Sequence, residues 1–124
     1  MTRFLTIEDA LAAAQAYLGR RPEVRDYGLL ESALMRPQAT VFGQDAYPDL
    51  NRKAAALLSS LVGNHPLIDG NKRLGWVCTR VFYIMNDADV RAPEDDAYDL
   101  VAAIANHEQT DVEAVAPALA AWVI

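Results

Sequence analysis

His65-Pro66-Leu67-Ile68-Asp69-Gly70-Asn71-Lys72-Arg73 lies at mid-chain between two apolar helical patterns, and its reading decides the rest. Ordinary helix punctuation accounts for part of it. Asn64 can end the preceding helix in a left-handed cap, and Pro66 forbids continuation. Asp69 can cap the next helix, with Gly70 easing the turn. Lys72 and Arg73 do not fit that account, because two cations in a first helical turn face the positive end of the helix dipole. Each costs roughly 0.3–1 kcal/mol at an exposed site. A bound anion removes the conflict: free N–H groups, a close-approach glycine at Gly70, the Asn71 amide and the Lys72 and Arg73 cations together suit a phosphate. Asp69 suits Mg²⁺, a hard ion that takes one or two carboxylates plus phosphate oxygens. His65, on the loop ahead, is placed to accept a proton from an attacking hydroxyl, a role worth on the order of 10²–10⁴-fold in rate. Nucleotide-dependent group transfer is the chemistry this set describes, although no G-x-x-x-x-G-K-[ST] loop is present.

Working outward, 3.6-residue apolar rhythms flank the motif on both sides. Leu50, Ala54, Leu57, Leu58, Leu61 and Val62 predict a helix that begins near Pro48 or Asp49 and ends about Gly63-Asn64. Leu74, Val77, Cys78, Val81, Phe82 and Met85 predict the next, from about Gly70 to Met85, and its sparse polar surface marks it as the buried central helix. Upstream, Ile7, Leu11, Ala14 and Leu18 form a first helix with a Thr6/Asp9 start and a Gly19 stop. A short second helix runs from an Asp26 cap to Arg36, where Pro37 ends it. Gln38–Tyr47 lacks helical rhythm and reads as a loop or a short β-hairpin flap. Downstream, Val90-Arg91 is a short extended piece. Pro93 with Glu94, Asp95 and Asp96 opens a fifth helix, and Thr110 or Asp111 opens a sixth that Pro117 would kink. The expectation is an all-α, compact six-helix domain spanning 1–124.

Composition narrows the class. Slightly over half the residues are apolar, and 124 residues suffice for one core. One cysteine, Cys78, and no signal-like or membrane-spanning run point to a soluble cytoplasmic protein without disulfides or a membrane partner. The net charge of −6 disfavours direct nucleic-acid binding. Its distribution is uneven: residues 1–80 hold ten basic side chains against eight acidic, and residues 81–124 hold one against nine. A small anion therefore suits the first two-thirds of the chain. The acidic remainder reads as a solvated helical face.

The central nine residues resemble the Fic/Doc signature, H-x-F-x-[D/E]-G-N-[G/K]-R, and lysine at position 72 is the form seen in the Doc (death-on-curing) toxins. Asp26-Tyr27-Gly28-Leu29-Leu30-Glu31-Ser32-Ala33-Leu34, Arg36-Pro37, Tyr47-Pro48 and Lys53-Ala54-Ala55 also resemble Doc-type chains. The resemblance implies a six-helix Fic/Doc domain. It implies His65 as the base that activates a target hydroxyl, Asp69 as the Mg²⁺ ligand, and Gly70, Asn71, Lys72 and Arg73 as the anion-binding set for ATP. Fic proteins most often transfer AMP to a protein hydroxyl, whereas Doc toxins move the γ-phosphate of ATP to a threonine of elongation factor Tu and halt translation. Two departures bear on this choice. Leu67 replaces a core-facing phenylalanine, a change that repacking accommodates. Trp76 stands where Fic adenylyltransferases carry a second arginine, and with Lys72 it favours the kinase-like reading. The departures also leave room for a catalytically inactive binding module. No inhibitory [S/T]-x-x-x-E-[G/N] helix is present, so the resemblance implies a separate antitoxin whose disordered C-terminal segment folds on the toxin.

Other residues carry less. Zinc generally wants three or four ligands and the only cysteine lies within an apolar helix, so neither His107 with Glu108 and Asp111 nor His65 with Asp69 reads as a zinc site. His107 fits a helix C-terminus, where positive charge is favourable. Cys78 lies on a buried stripe, and Trp76 and Trp122 read as core or edge residues. Arg20, Arg21 and Arg25 form a basic cluster that suits a soluble surface, with a contact to an acidic partner as the functional option.

Overall fold

In a computed structural model, which describes residues 1–124, the apolar rhythms fold as six helices: α1 (Ile7–Leu18), α2 (Tyr27–Met35), α3 (Leu50–Asn64), α4 (Asn71–Met85), α5 (Glu94–Ala105) and α6 (Val112–Ala121). The punctuation works largely as read. Thr6 and Asp9 form a reciprocal capping box, Gly19 ends α1 at φ +73°, and the Asp26, Asp49 and Asp111 carboxylates each accept a backbone N–H at a helix start. Pro37 turns the end of α2 into a single 3-10 turn, Arg36–Gln38. Pro117 lies inside α6, with its ring exposed, and the helix continues to Ala121.

The flap is real. Strands β1 (Thr40–Val41) and β2 (Gln44–Asp45) pair antiparallel, with Thr40 opposite Asp45 and Val41 opposite Gln44. The two-residue turn, Phe42-Gly43, takes positive φ at both positions (+52° and +77°), the twist that suits a tight hairpin. Buried Lys53 fixes its base by donating to the Asp45 carboxylate at 3.1 Å and to the Tyr47 carbonyl. Arg36 adds bonds to Tyr47 Oη (3.0 Å) and Ser60 Oγ (2.9 Å).

The most enclosed helix is α3, not α4 as its apolar stripe suggested. Every residue from Lys53 to Val62 is buried, whereas α4 buries only Leu74, Gly75, Cys78, Thr79, Phe82 and Tyr83. The reason lies in side-chain size. Ala54, Ala55, Ala56, Ser59 and Ser60 let α2, α4, α5 and α6 all approach α3 closely, so even its polar positions lose water. Gly75 serves the same end from α4: a Cβ there would collide with Val62 Cγ2. The motif therefore joins the two helices with the tightest mutual packing. Behind them Val90 bridges to Val123, the extended piece foreseen at 90–91, and ties the approach to α5 to the end of α6. No helix is long and apolar enough to cross a membrane.

Candidate active site

The loop between α3 and α4 is held from outside as well as by its own residues. α3 runs through Asn64, and His65 takes the left-handed conformation, φ +49°, one residue later than the expected cap. Residues 23–26 lie antiparallel to 66–68. The N–H groups of Arg25 and Asp26 donate to the Pro66 carbonyl at 2.8 and 3.1 Å, and Ile68 N–H donates to Glu23 O at 3.0 Å. The Arg25 guanidinium donates to the His65 carbonyl from Nε (2.9 Å) and Nη2 (2.7 Å), and to the Asn64 carbonyl at 3.2 Å. These are the carbonyls that the end of α3 leaves without partners, and a cation is the favourable group there. Arg25, which by sequence belonged to a solubility cluster, is thus a cap for α3.

Within the loop, Leu67 is buried at 1 % exposure, filling the core position where the family signature has phenylalanine. Asn71 binds it from the next helix. Its Oδ1 accepts Leu67 N–H at 2.8 Å, and its Nδ2 donates to Leu67 O at 2.9 Å. The Asn71 amide thereby stitches the loop shut, and what it can offer an anion is its backbone N–H.

The expected Asp69 cap does not form. Gly70 occupies the N-cap at φ +90°, and no side chain accepts a bond there. A Cβ on Gly70 would press on Leu18 Cδ1 at 3.3 Å, so glycine serves both the conformation and the fit. The Asp69 carboxylate turns outward, 85 % exposed, with one ion pair to Arg20 at 3.5 Å. Leu74 N–H is the first in α4 to bond back, to Gly70 O at 2.8 Å, so the N–H groups of Asn71, Lys72 and Arg73 remain open. Lys72 and Arg73 are both exposed and take part in none of the ion pairs.

Lys72 and Arg73 also line one end of a groove of about 710 Å³ between the end of α1, α4 and the start of α5. Arg80 and Arg91 supply further cations, and Tyr17, Trp76 and Tyr98 supply aromatic walls. Trp76 is half-buried against Trp122, with ring centroids 6.2 Å apart, which fits its edge reading. Across the loop, the exposed His65 imidazole meets that of His107, in the turn after α5, at 6.4 Å between centroids and 74° between planes.

Open N–H groups and unpaired cations at a helix N-terminus are chemistry that suits an anion, and an exposed imidazole is chemistry that suits proton transfer. No group of three or more His, Cys, Asp or Glu side chains converges as a metal cluster. Burial pushes the Cys78 thiol up to about 12, with the charge of Asp9 adding to the shift, so its thiolate is inaccessible at neutral pH.

A model of the Fic/DOC family matches residues 4–83, from the strand of chain before α1 to the last turn of α4. The chain belongs to the Fic/DOC family. It is also 46 % identical to Toxin Doc of Mycolicibacterium smegmatis, over 98 % of this chain and 95 % of that protein. The resemblance drawn from the central motif is thus borne out, and the motif lies in the loop between α3 and the start of α4, within the matched residues. The relative's match extends through α5 and α6, beyond the family model, and so takes in the turn that carries His107.

Sequence reasoning missed Arg25, Gly75 and the His65–His107 contact. The first two had faint local signals: an arginine just ahead of the Asp26 cap, and a glycine inside an otherwise apolar helix, which points to close packing. The third joins residues from two separate helix ends and has no local signal.

Proposed function

We propose that this chain is a Doc-type toxin that transfers the γ-phosphate of ATP to a threonine or serine hydroxyl of a target protein, elongation factor Tu, and so arrests translation. One observation carries the reading. The N-terminus of α4 offers three open N–H groups and two unpaired cations at one end of the short loop whose other end carries the exposed His65. Bound ATP with Mg²⁺ would supply the transferable phosphoryl group and neutralise part of its charge. Asp69 fits the metal, because its carboxylate is exposed and committed only to a 3.5 Å pair with Arg20.

The chain's own residues do the rest. The N–H groups of Asn71, Lys72 and Arg73, with the two side-chain cations, hold phosphate oxygens and favour charge developing on them. Gly70 lets those oxygens approach the backbone. His65 accepts the target hydroxyl's proton at a ring nitrogen, and no other side chain donates to or accepts from that ring. The flap, with its edge strand and the fully exposed Phe42 at its tip, suits the target's backbone as an added strand. Lysine at 72, and tryptophan at 76 in place of a second arginine, support phosphoryl over adenylyl transfer.

The partner that restrains it is a separate antitoxin with a disordered C-terminal segment. The groove of Tyr17, Trp76 and Tyr98, rimmed by Arg80 and Arg91, suits an acidic amphipathic segment of that kind.

The test is incubation with labelled ATP and cell lysate, followed by mass spectrometry. Label from γ-³²P-ATP with a mass gain of ~80 Da on the target supports the proposal, and label from α-³²P-ATP with ~329 Da means AMP transfer. His65→Ala should abolish transfer while leaving the melting temperature within about 2 °C, as expected for an exposed side chain. Transfer at the wild-type rate would remove His65 from the role of base. If millimolar ATP with Mg²⁺ gave no thermal shift, the chain would be a binding module without nucleotide chemistry.

A further inference from the structure

The proposed base lacks what a histidine base ordinarily has, a hydrogen-bonding group that fixes its ring. Such bases are usually oriented through their second nitrogen by a carboxylate or carbonyl. Arg25 holds the His65 backbone, but the imidazole itself makes no hydrogen bond, and the nearest motif carboxylate, Asp69, is turned to Arg20. What the ring does meet is His107, edge to face, at 6.4 Å between centroids. These are the two histidines of the chain, 42 positions apart in sequence.

His107 is not explained by its own turn. The turn closes α5 through backbone bonds alone: His107 N–H to Ile104 O at 3.1 Å, Glu108 N–H to Ala103 O at 2.9 Å and Gln109 N–H to Ala103 O at 3.2 Å. Its backbone sits at φ +59°, where glycine is the relaxed choice and a side chain is strained. Its imidazole is exposed and makes no hydrogen bond, so neither core packing nor a polar network accounts for it. A strained, exposed side chain whose ring rests against the proposed base is the kind of outlier that points to a role at the site.

We propose that His107 is a positioning residue for His65: its ring edge limits rotation of the His65 imidazole and keeps one nitrogen aimed at the incoming hydroxyl. The placement follows from the fold. α5 packs on α3 through a face that buries Val101 and Ile104, and the turn begins directly after it. The inference rests on the reading of His65 as the base.

Three variants separate the ring from the backbone. His107→Gly relieves the positive φ and deletes the ring, His107→Asn keeps a side chain that tolerates this conformation without a ring, and His107→Phe restores a ring edge. Phe42, at φ +52°, shows that phenylalanine can occupy this region. In the wild-type protein without nucleotide, the ring protons of His65 and His107 should show a direct nuclear Overhauser effect at pH 8. His107→Gly should shift the His65 ring resonances while its melting temperature stays equal or rises. In the transfer assay, kcat should fall about tenfold for Gly and Asn with KM for ATP unchanged, a loss of orientation and not of binding. His107→Phe should recover most of it.

Absence of the inter-ring effect, or His65 resonances that superpose in wild type and His107→Gly, overturns the proposal. So does an unchanged kcat, or a fall in melting temperature with His65 unmoved, which is mere packing. The spectroscopic arm needs no nucleotide. If wild type transferred nothing, the phosphoryl-transfer reading would fail on its own, and the ring contact would still be decided.

Discussion

Replacing Asn71 with alanine separates a residue that holds the loop from one that holds the ligand. The Asn71 amide makes two bonds, at 2.8 and 2.9 Å, to the N–H and carbonyl of Leu67, a residue 1 % exposed. Losing them removes about 1 kcal/mol each, and stranding two buried backbone groups adds to the cost. Alanine's better helix propensity returns a few tenths of a kcal/mol. The net destabilisation is about 2–3 kcal/mol, which for a domain of this size lowers the melting temperature by about 8–12 °C. A thermal melt without nucleotide reads this directly. The stabilisation by ATP with Mg²⁺ should survive, since the α4 N–H groups and the Lys72 and Arg73 cations are untouched, whereas the transfer rate should fall as His65 loses its rigid mount. A variant that melts within about 2 °C of wild type but loses its response to ATP would refute the reasoning and make the Asn71 side chain a ligand for the nucleotide.

Other perturbations follow from the same geometry. Gly75→Ala gains about 1 kcal/mol in helix propensity but drives a methyl into Val62, so the denaturation midpoint should fall by the equivalent of about 1 kcal/mol or more; a higher midpoint would mean α3 and α4 can separate freely. Lys72→Glu exchanges an unfavourable for a favourable charge at the α4 dipole, and should raise the melting temperature slightly while abolishing stabilisation by ATP; a variant that still responds to ATP would remove Lys72 from the anion site. The Arg80 hydrogen bond, helped by Val90 N–H, holds the Asp89 carboxyl below its ordinary value of 3.8. Its contribution is therefore present above that value and lost as pH falls through the lower folded one, so the melting curves of wild type and Asp89→Asn should differ at pH 7 and converge in acid. A gap that persists at the lowest pH would assign the difference to packing.

What was legible in the sequence was whatever local chemistry specifies. Thr6, Gly19, Asp26, Asp49 and Asp111 punctuate helices through bonds to neighbours one to four residues away, so a one-dimensional reading finds them. The motif was equally legible because a single loop carries nearly all of it. The choice of central helix was not. A count of apolar positions favours α4, but enclosure depends on how near the neighbours come, and the alanines and serines of α3 look unremarkable until other helices lie on them. That Asp69 would not cap α4, and that the Asn71 amide would bond to Leu67, was hidden for a related reason. Either residue type can cap, ligate or staple, and the choice fell to Gly70: at φ +90° it took the cap position and left Asn71 facing Leu67. Arg25 and His107 reach the site from other segments, through contacts no window of sequence contains.

The start of α4 is where local preference and global fold disagree, and the disagreement is what singles it out. Four helices begin with a side-chain cap, and α5 begins with three carboxylates after Pro93. α4 begins with a bare glycine and two cations, forgoing about 1 kcal/mol of capping and roughly 0.3–1 kcal/mol for each charge. Against the 5–15 kcal/mol that holds an ordinary domain together, this is a substantial local deficit. It is tolerated because the end is secured by other means. Asn71 stitches the loop to the helix, Arg25 caps the helix before it, and Gly75 lets α4 lock onto Val62 and Leu58. Each of these supports leaves the N–H groups of residues 71–73 free, whereas a conventional Asp or Ser cap would have consumed one of them. The stabilising work has been moved to positions where it does not compete with an anion, and that displacement is the strongest physical reason to place the chemistry at this helix end.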